Sequence, residues 1–302
     1  MIADVHTHVW QTPGELGPAI ERRLLRGERK PWDRFATGIS ALTRALGDVD
    51  LALVHGLHSQ HAHVHITHEQ VAAAVTQQPH KLLGIAGIDP LAPAPLESID
   101  RAVSLGLVGV ALCPAGQAMH PAHSRAMSVY ERCTALKLPV FIHNSDLYGD
   151  VAAMEFARPE LFDEVARAFP ALPIVLAGVA RPWGEVALDL VGRHANLYAD
   201  LTGYVAEPWP LFNVLLAAHQ RGVCEKLLFA SGFPFCEPHE AIVNIYSVNR
   251  FTHESALPRV PRTVLRGLVE RDVCAALGIA LPGTRPPTVT ALAATPTMEH
   301  AS

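Results

Sequence analysis

Short apolar runs alternate with longer stretches of helical spacing along this chain, and the alternation occurs eight times. The strand-like runs lie at residues 2–5, 49–54, 82–88, 108–112, 140–142, 174–177, 197–199 and 227–230. Between them, apolar residues recur at helical spacing in 35–46, 69–76, 96–104, 125–136, 161–169 and 185–191. Proline marks many junctions, as in Asp89-Pro90, Cys113-Pro114, Leu138-Pro139, Leu172-Pro173 and Phe233-Pro234. Continuous apolar strands joined by helical crossovers predict a parallel sheet covered by helices. Eight such units in roughly 280 residues predict an α/β fold, a closed (β/α)8 TIM barrel in one domain. The rival, a doubly wound open sheet, calls for a glycine-rich phosphate loop after the first strand. Val5-His6-Thr7-His8 stands there instead.

Two segments depart from the period. Residues 9–32 are too long for a plain loop and predict a helical insertion over the mouth. Residues 258–280 predict one closing helix, with Val264, Leu265, Leu268 and Val269 on one face. The barrel domain is thus expected over 1–280. The remainder, 281–302, is rich in Pro, Thr and Ala without sustained period and is expected to be a disordered tail.

Composition narrows the function. Hydrophobic residues make up 49% of the 302 residues and charged ones 18%, enough apolar material for one sizeable core. Lys plus Arg number 24 against 29 Asp plus Glu, a net charge of −5, so the basic excess of a nucleic-acid binder is missing. No apolar run approaches membrane-spanning length, and the first residues lack a signal-peptide pattern. Five cysteines, never spaced CxxC, predict reduced thiols in a cytoplasmic protein. The outlier is histidine, at 17.

The histidines cluster where a barrel does its chemistry. His6 and His8 are two apart at the end of the first strand and project together, with Asp4 one layer deeper as a candidate orienting acceptor. An isolated pair of this kind is ordinarily two loop histidines; its place at a barrel mouth points to a divalent metal site. His143 ends the fifth strand in a polar cluster, where the plain alternative is a buried structural histidine. Three such imidazoles make a neutral zinc-type site with an open position. The segment after the second strand holds His55, His58, His61, His63, His65 and His68. His55 or His58 could supply a fourth ligand or the catalytic base, while His61 to His68 fit a solvated loop. Cys113, Asp146 and Asp200 end strands and are candidate substrate contacts.

Taken together, DVHTH at the start, GIAGIDP (84–90), GLVGVALCP (106–114), LPVFIHNSD (138–146), LPIVLAGVARPWGEVALDL (172–190), NLYADLTGY (196–204) and KLLFASGFPF (226–235) resemble the amidohydrolase superfamily. The resemblance is to its amidohydrolase-2 branch, typified by aminocarboxymuconate-semialdehyde decarboxylase. It implies that His6, His8 and His143 bind a divalent metal, zinc or similar. It also implies a hydrolase, decarboxylase or lactonase acting on a small organic acid, lactone or amide. Apart from the resemblance, a homodimer is the prior for a soluble enzyme, with the oligomeric state left open. The departures are specific. Gly178 stands where the branch has a histidine after strand six, Gly232 where it has a metal-binding aspartate after strand eight, and Ala111 where a strand-four lysine is common. The side-chain space of both glycines is expected to be open beside His6 and His8. Their loss of acid–base groups sustains a competing reading, a catalytically inactive barrel that binds a ligand or an active partner subunit.

Overall fold

Every one of the eight apolar runs becomes a strand in the computed structural model, which describes residues 1–26, 35–143 and 147–281. In chain order the strands are β1 (Ala3–Thr7), β2 (Leu51–His55), β3 (His58–Ser59), β4 (Val64–His65) and β5 (Leu82–Gly87). β6 (Gly109–Leu112), β7 (Val140–Ile142), β8 (Ile174–Leu176), β9 (Leu197–Asp200) and β10 (Leu227–Leu228) follow. The parallel sheet runs β1-β2-β5-β6-β7-β8-β9-β10. The segment after β10 returns to β1: Val5 N donates to Phe229 O at 3.0 Å, Gly232 N to His6 O at 3.0 Å, and His8 N to Phe233 O at 2.9 Å. These bonds bring the sheet round into a single-domain (β/α)8 barrel.

The strands are apolar on both faces because both are covered. Leu51, Leu53, Ile85, Ala111, Phe141, Val175 and Leu228 fill the inside, whereas Ala52, Val54, Val110, Val140, Ile174 and Leu227 meet the helices outside. The helices are α1 (Gly17–Arg26), α2 (Gly38–Ala45), α3 (His68–Gln77), α4 (Pro95–Ser104), α5 (Ser124–Leu136) and α6 (Phe162–Ala168). α7 (Gly184–Arg193), α8 (Pro208–Gln220), α9 (Pro238–Tyr246), α10 (Arg262–Val269) and α11 (Val273–Leu277) complete the set. The first of these, α1, is the helical excursion expected after the first strand.

Two expectations need correction. The closing segment is two helices, α10 and α11, because Asp272 turns its carboxylate onto Ala275 N at 2.9 Å and starts a new helix. Val273, Cys274, Leu277 and Ile279 then join the inner core and stopper the barrel. The loop after β2 also contains the antiparallel hairpin β3–β4, with His58 opposite His65. Of the tail expected over 281–302, residues 282–302 lie outside the described ones. Among the described residues no helix is long and apolar enough to cross a membrane.

Candidate metal centre

An irregularity in β1 aims the first histidines. Asp4 pairs with Ala52 and Thr7 with Val54, so Val5 and His6 together oppose the single residue Leu53. Two residues against one is a β-bulge, which re-aims the side chains beyond it. Val5 packs into the inner core, and His6, the very next residue, still turns to the mouth. Thr7 Oγ1 holds the kink by donating to Leu53 O at 2.8 Å. The bulge also revises the role expected of Asp4. Its Oδ1 accepts main-chain N–H bonds from His6 at 3.2 Å and Ser231 at 3.0 Å, tying the two barrel ends of the seam together. Burial raises this carboxyl to about 6, and among the described residues its Oδ2 has no hydrogen-bond partner.

The residue that orients His6 is Asp200, at the end of β9. His6 Nδ1 lies 3.0 Å from Asp200 Oδ2. Asp200 Oδ1 accepts from Gly178 N at 2.8 Å and Thr202 N at 2.9 Å. Burial alone would raise the Asp200 carboxyl, but His6 and these donors hold it below its ordinary value. Both oxygens of Asp200, the residue expected to contact substrate, are thus engaged by His6, Gly178 and Thr202. A carboxylate behind an imidazole fixes the tautomer and turns Nε2 forward, as at many metal sites.

Four buried rings meet at the mouth. His6 stacks on His55 with centroids 4.4 Å apart and planes 4° apart. His143 lies 4.7 Å from His6 at 31°. His8 stands 5.1 Å from His6 at 69° and 5.7 Å from His143 at 90°. His55 Nδ1 is 2.9 Å from His143 Nε2, and its Nε2 is 2.8 Å from Val5 O. His6, His55 and His143 each bring one ring nitrogen within 4.8 Å of the others'. Burial, then the neighbouring histidines, lowers His55 and His143 well below their ordinary values, and burial with His6 takes His8 to about 3. Buried imidazoles, one of them with a carboxylate behind it, are a donor set that fits a divalent ion such as zinc.

Of the other candidates, His58 and Cys113 fall outside this group. His58 is half-buried in the hairpin and stacks on His65 at 4.2 Å, with burial, then His65, lowering its pKa. Cys113 is buried beneath the mouth, its thiol pushed up to about 12 by burial. Asp146 lies outside the described residues. Gly232 is no open slot: its φ is +70° and a Cβ there would come 2.8 Å from the Thr202 methyl. Gly178 also has positive φ, +57°. Sequence reasoning placed Asp200 at the mouth but missed its partner, which is 194 residues away. Beside His143 a pocket of about 330 Å³, part of it open to solvent, is lined by Pro114, Ile142, Phe156, Leu176 and Arg181 among others. Arg181 pairs with both oxygens of Glu207, at 2.9 and 3.0 Å.

The amidohydrolase family model, of the amidohydrolase-2 branch, matches residues 3–263, and the chain belongs to that family. Solved structures share the fold at low identity. An uncharacterized TIM-barrel protein from Bordetella bronchiseptica is 19% identical, with a TM-score of 0.71 over 92% of this chain and 99% of that one. A 5-carboxyvanillate decarboxylase from Sphingomonas paucimobilis is 14% identical, with a TM-score of 0.64 and the same coverage. A probable 2-pyrone-4,6-dicarboxylic acid hydrolase from Acinetobacter baumannii, with citric acid bound, is 14% identical at a TM-score of 0.60, again with 92% and 99% coverage. No curated protein matches the chain in sequence.

Proposed function

We propose that this chain is a metal-dependent enzyme of amidohydrolase type that hydrolyses or decarboxylates a small organic acid, lactone or amide. The observation that carries the reading is His6, anchored through Nδ1 to buried Asp200 and grouped with His8, His55 and His143 at the barrel mouth. His6, His8 and His143 would hold the ion, zinc by the all-imidazole donor set. When bound, such an ion supplies Lewis acidity toward a carbonyl or a water. The chain's own residues do the rest. Asp200 keeps His6 in one tautomer. The apolar side chains Ile142, Phe156 and Leu176 line the pocket beside His143, and Arg181, held by Glu207, stands at its edge. With glycine at 178 and 232, proton acceptance would fall to an imidazole, and His55, whose Nδ1 meets His143 Nε2 at 2.9 Å, is the candidate. Decarboxylase and hydrolase activity among the fold's relatives supports both reaction types.

Metal analysis of the purified protein, followed by assays on aromatic carboxylic acids, lactones and amides, tests the reading. It expects about one equivalent of zinc and turnover of at least one class, both lost in His6→Ala. A protein that takes no stoichiometric metal and turns over none of these overturns it. A second reading, a catalytically inactive barrel that binds a ligand or partner, is favoured by one observation: Thr202 fills the space where the family's aspartate would project from position 232. It expects metal or ligand binding without turnover.

A further inference from the structure

His55 is the histidine of the cluster that the family resemblance does not supply, and its contacts define what it can do. A carbonyl oxygen only accepts, so the 2.8 Å contact with Val5 O places the His55 ring proton on Nε2. With its one ring proton on Nε2, an imidazole keeps the other nitrogen, Nδ1, as a lone pair. That lone pair meets His143 Nε2 at 2.9 Å, so His143 is the donor. The nitrogen that His143 would turn to an ion is thus already engaged.

The stack on His6 settles the rest. Imidazole lone pairs lie in the ring plane, and the two planes are 4° apart. An ion in the plane of His6 lies off the plane of His55 by about the thickness of a ring, ~3.5 Å. A zinc–nitrogen bond spans only about 2.0–2.1 Å. His6 and His55 cannot share an ion unless His55 turns, and turning breaks its bonds to Val5 and His143. His143 and His8 are tilted at 31° and 69° to His6 rather than stacked on it, although His8 lies outside the set of ring nitrogens, from His6, His55 and His143, that come within 4.8 Å of one another.

We infer that His55 is a positioning residue rather than a metal ligand, holding His143 Nε2 while the site is metal-free and yielding it when the site loads. The inference rests on the metal-site reading proposed above. Loading moves the His143 proton from Nε2 to Nδ1, with no net proton lost, and leaves His55 Nδ1 without its donor. His55 therefore competes with the ion for His143.

Two measurements test this. In the wild-type chain with 15N-labelled histidine, two-bond 1H–15N spectra should show protonated Nε2 on both His55 and His143 without metal. With one equivalent of zinc, His143 Nε2 should move to the metal-bound shift while His55 keeps its Nε2 proton. A metal-bound shift at His55 Nδ1 overturns the inference. The variant His55→Phe retains the ring stack and removes the acceptor. Val5 O loses its donor with or without metal, so that cost cancels, and zinc should bind about two- to tenfold tighter by chelator competition. Unchanged or weaker zinc binding in the folded variant overturns the inference while leaving the metal site standing. Zinc taken up by neither protein overturns the metal-site reading, and this inference with it. Should the variant fail to fold, the wild-type spectra decide alone.

Discussion

Asp200 concentrates three hydrogen bonds on one buried carboxylate, from His6, Gly178 and Thr202. Replacing it with asparagine keeps the shape but removes the charge that makes His6 a good donor to metal. We expect Asp200→Asn to weaken zinc binding about 10–100-fold, the usual effect of removing a partner behind a ligand. Chelator competition measures the loss, and a melting curve separates it from unfolding. The cysteines make a second test at this scale. Burial raises Cys113 and Cys133 to about 12, and Cys224 and Cys274 to about 11. Thiolate is the reactive form, and Cys224 alone is only half-buried. Iodoacetamide at pH 8 should therefore add slowly to the native protein and at Cys224 first, by mass mapping, whereas the denatured chain takes five adducts. Early labelling of Cys113 would mean that the mouth opens far wider than its packing shows.

At the level of elements, the seam between β1 and the segment after β10 is the place where small changes act most. At Gly232 the positive φ opposes a side chain, and so does the Thr202 methyl, 2.8 Å from where a Cβ would stand. Gly232→Ala should cost about 1–3 kcal/mol in chemical denaturation. Thr202→Ser removes that methyl, so the double variant should recover the steric part and leave the backbone part. Equal losses in the single and double variants would show that the methyl is not the obstacle. The same seam explains what was legible in the sequence. Strands buried on both faces leave continuous apolar runs, and all eight could be read. The bulge could not, since the alternation in Val5-His6-Thr7-His8 looks regular until two residues are seen to oppose Leu53. His6, His8, His55 and His143 could be named from their strand ends. The stacking of His55 on His6, and the turn of Asp200 to His6, depend on neighbours far away in the chain and left no local pattern. The break between α10 and α11 was hidden because Asp272, though a favoured N-cap residue, also occurs on polar helix faces and has no proline or glycine beside it to mark a stop.

For the whole molecule, the two ends of the barrel do different work. The histidines occupy the C-terminal ends of the strands, and α11 with Ile279 closes the other end with Val273, Cys274 and Leu277. Each fully buried side chain of this kind contributes about 1.5–3 kcal/mol, so losing the group removes much of a typical 5–15 kcal/mol stability. A chain ending at Glu270 should fail to give a cooperative melt, whereas one ending at Leu281 retains every described element and should melt like the parent. A cooperative melt at the parent's temperature for the shorter chain would show that the stopper is dispensable. The stopper also gives the molecule a handle. Ile279 is buried against the closed end and Leu281, two residues on, is exposed there. A resin or electrode coupled at position 281 itself would hold each barrel by its closed end, with every mouth turned toward the solution.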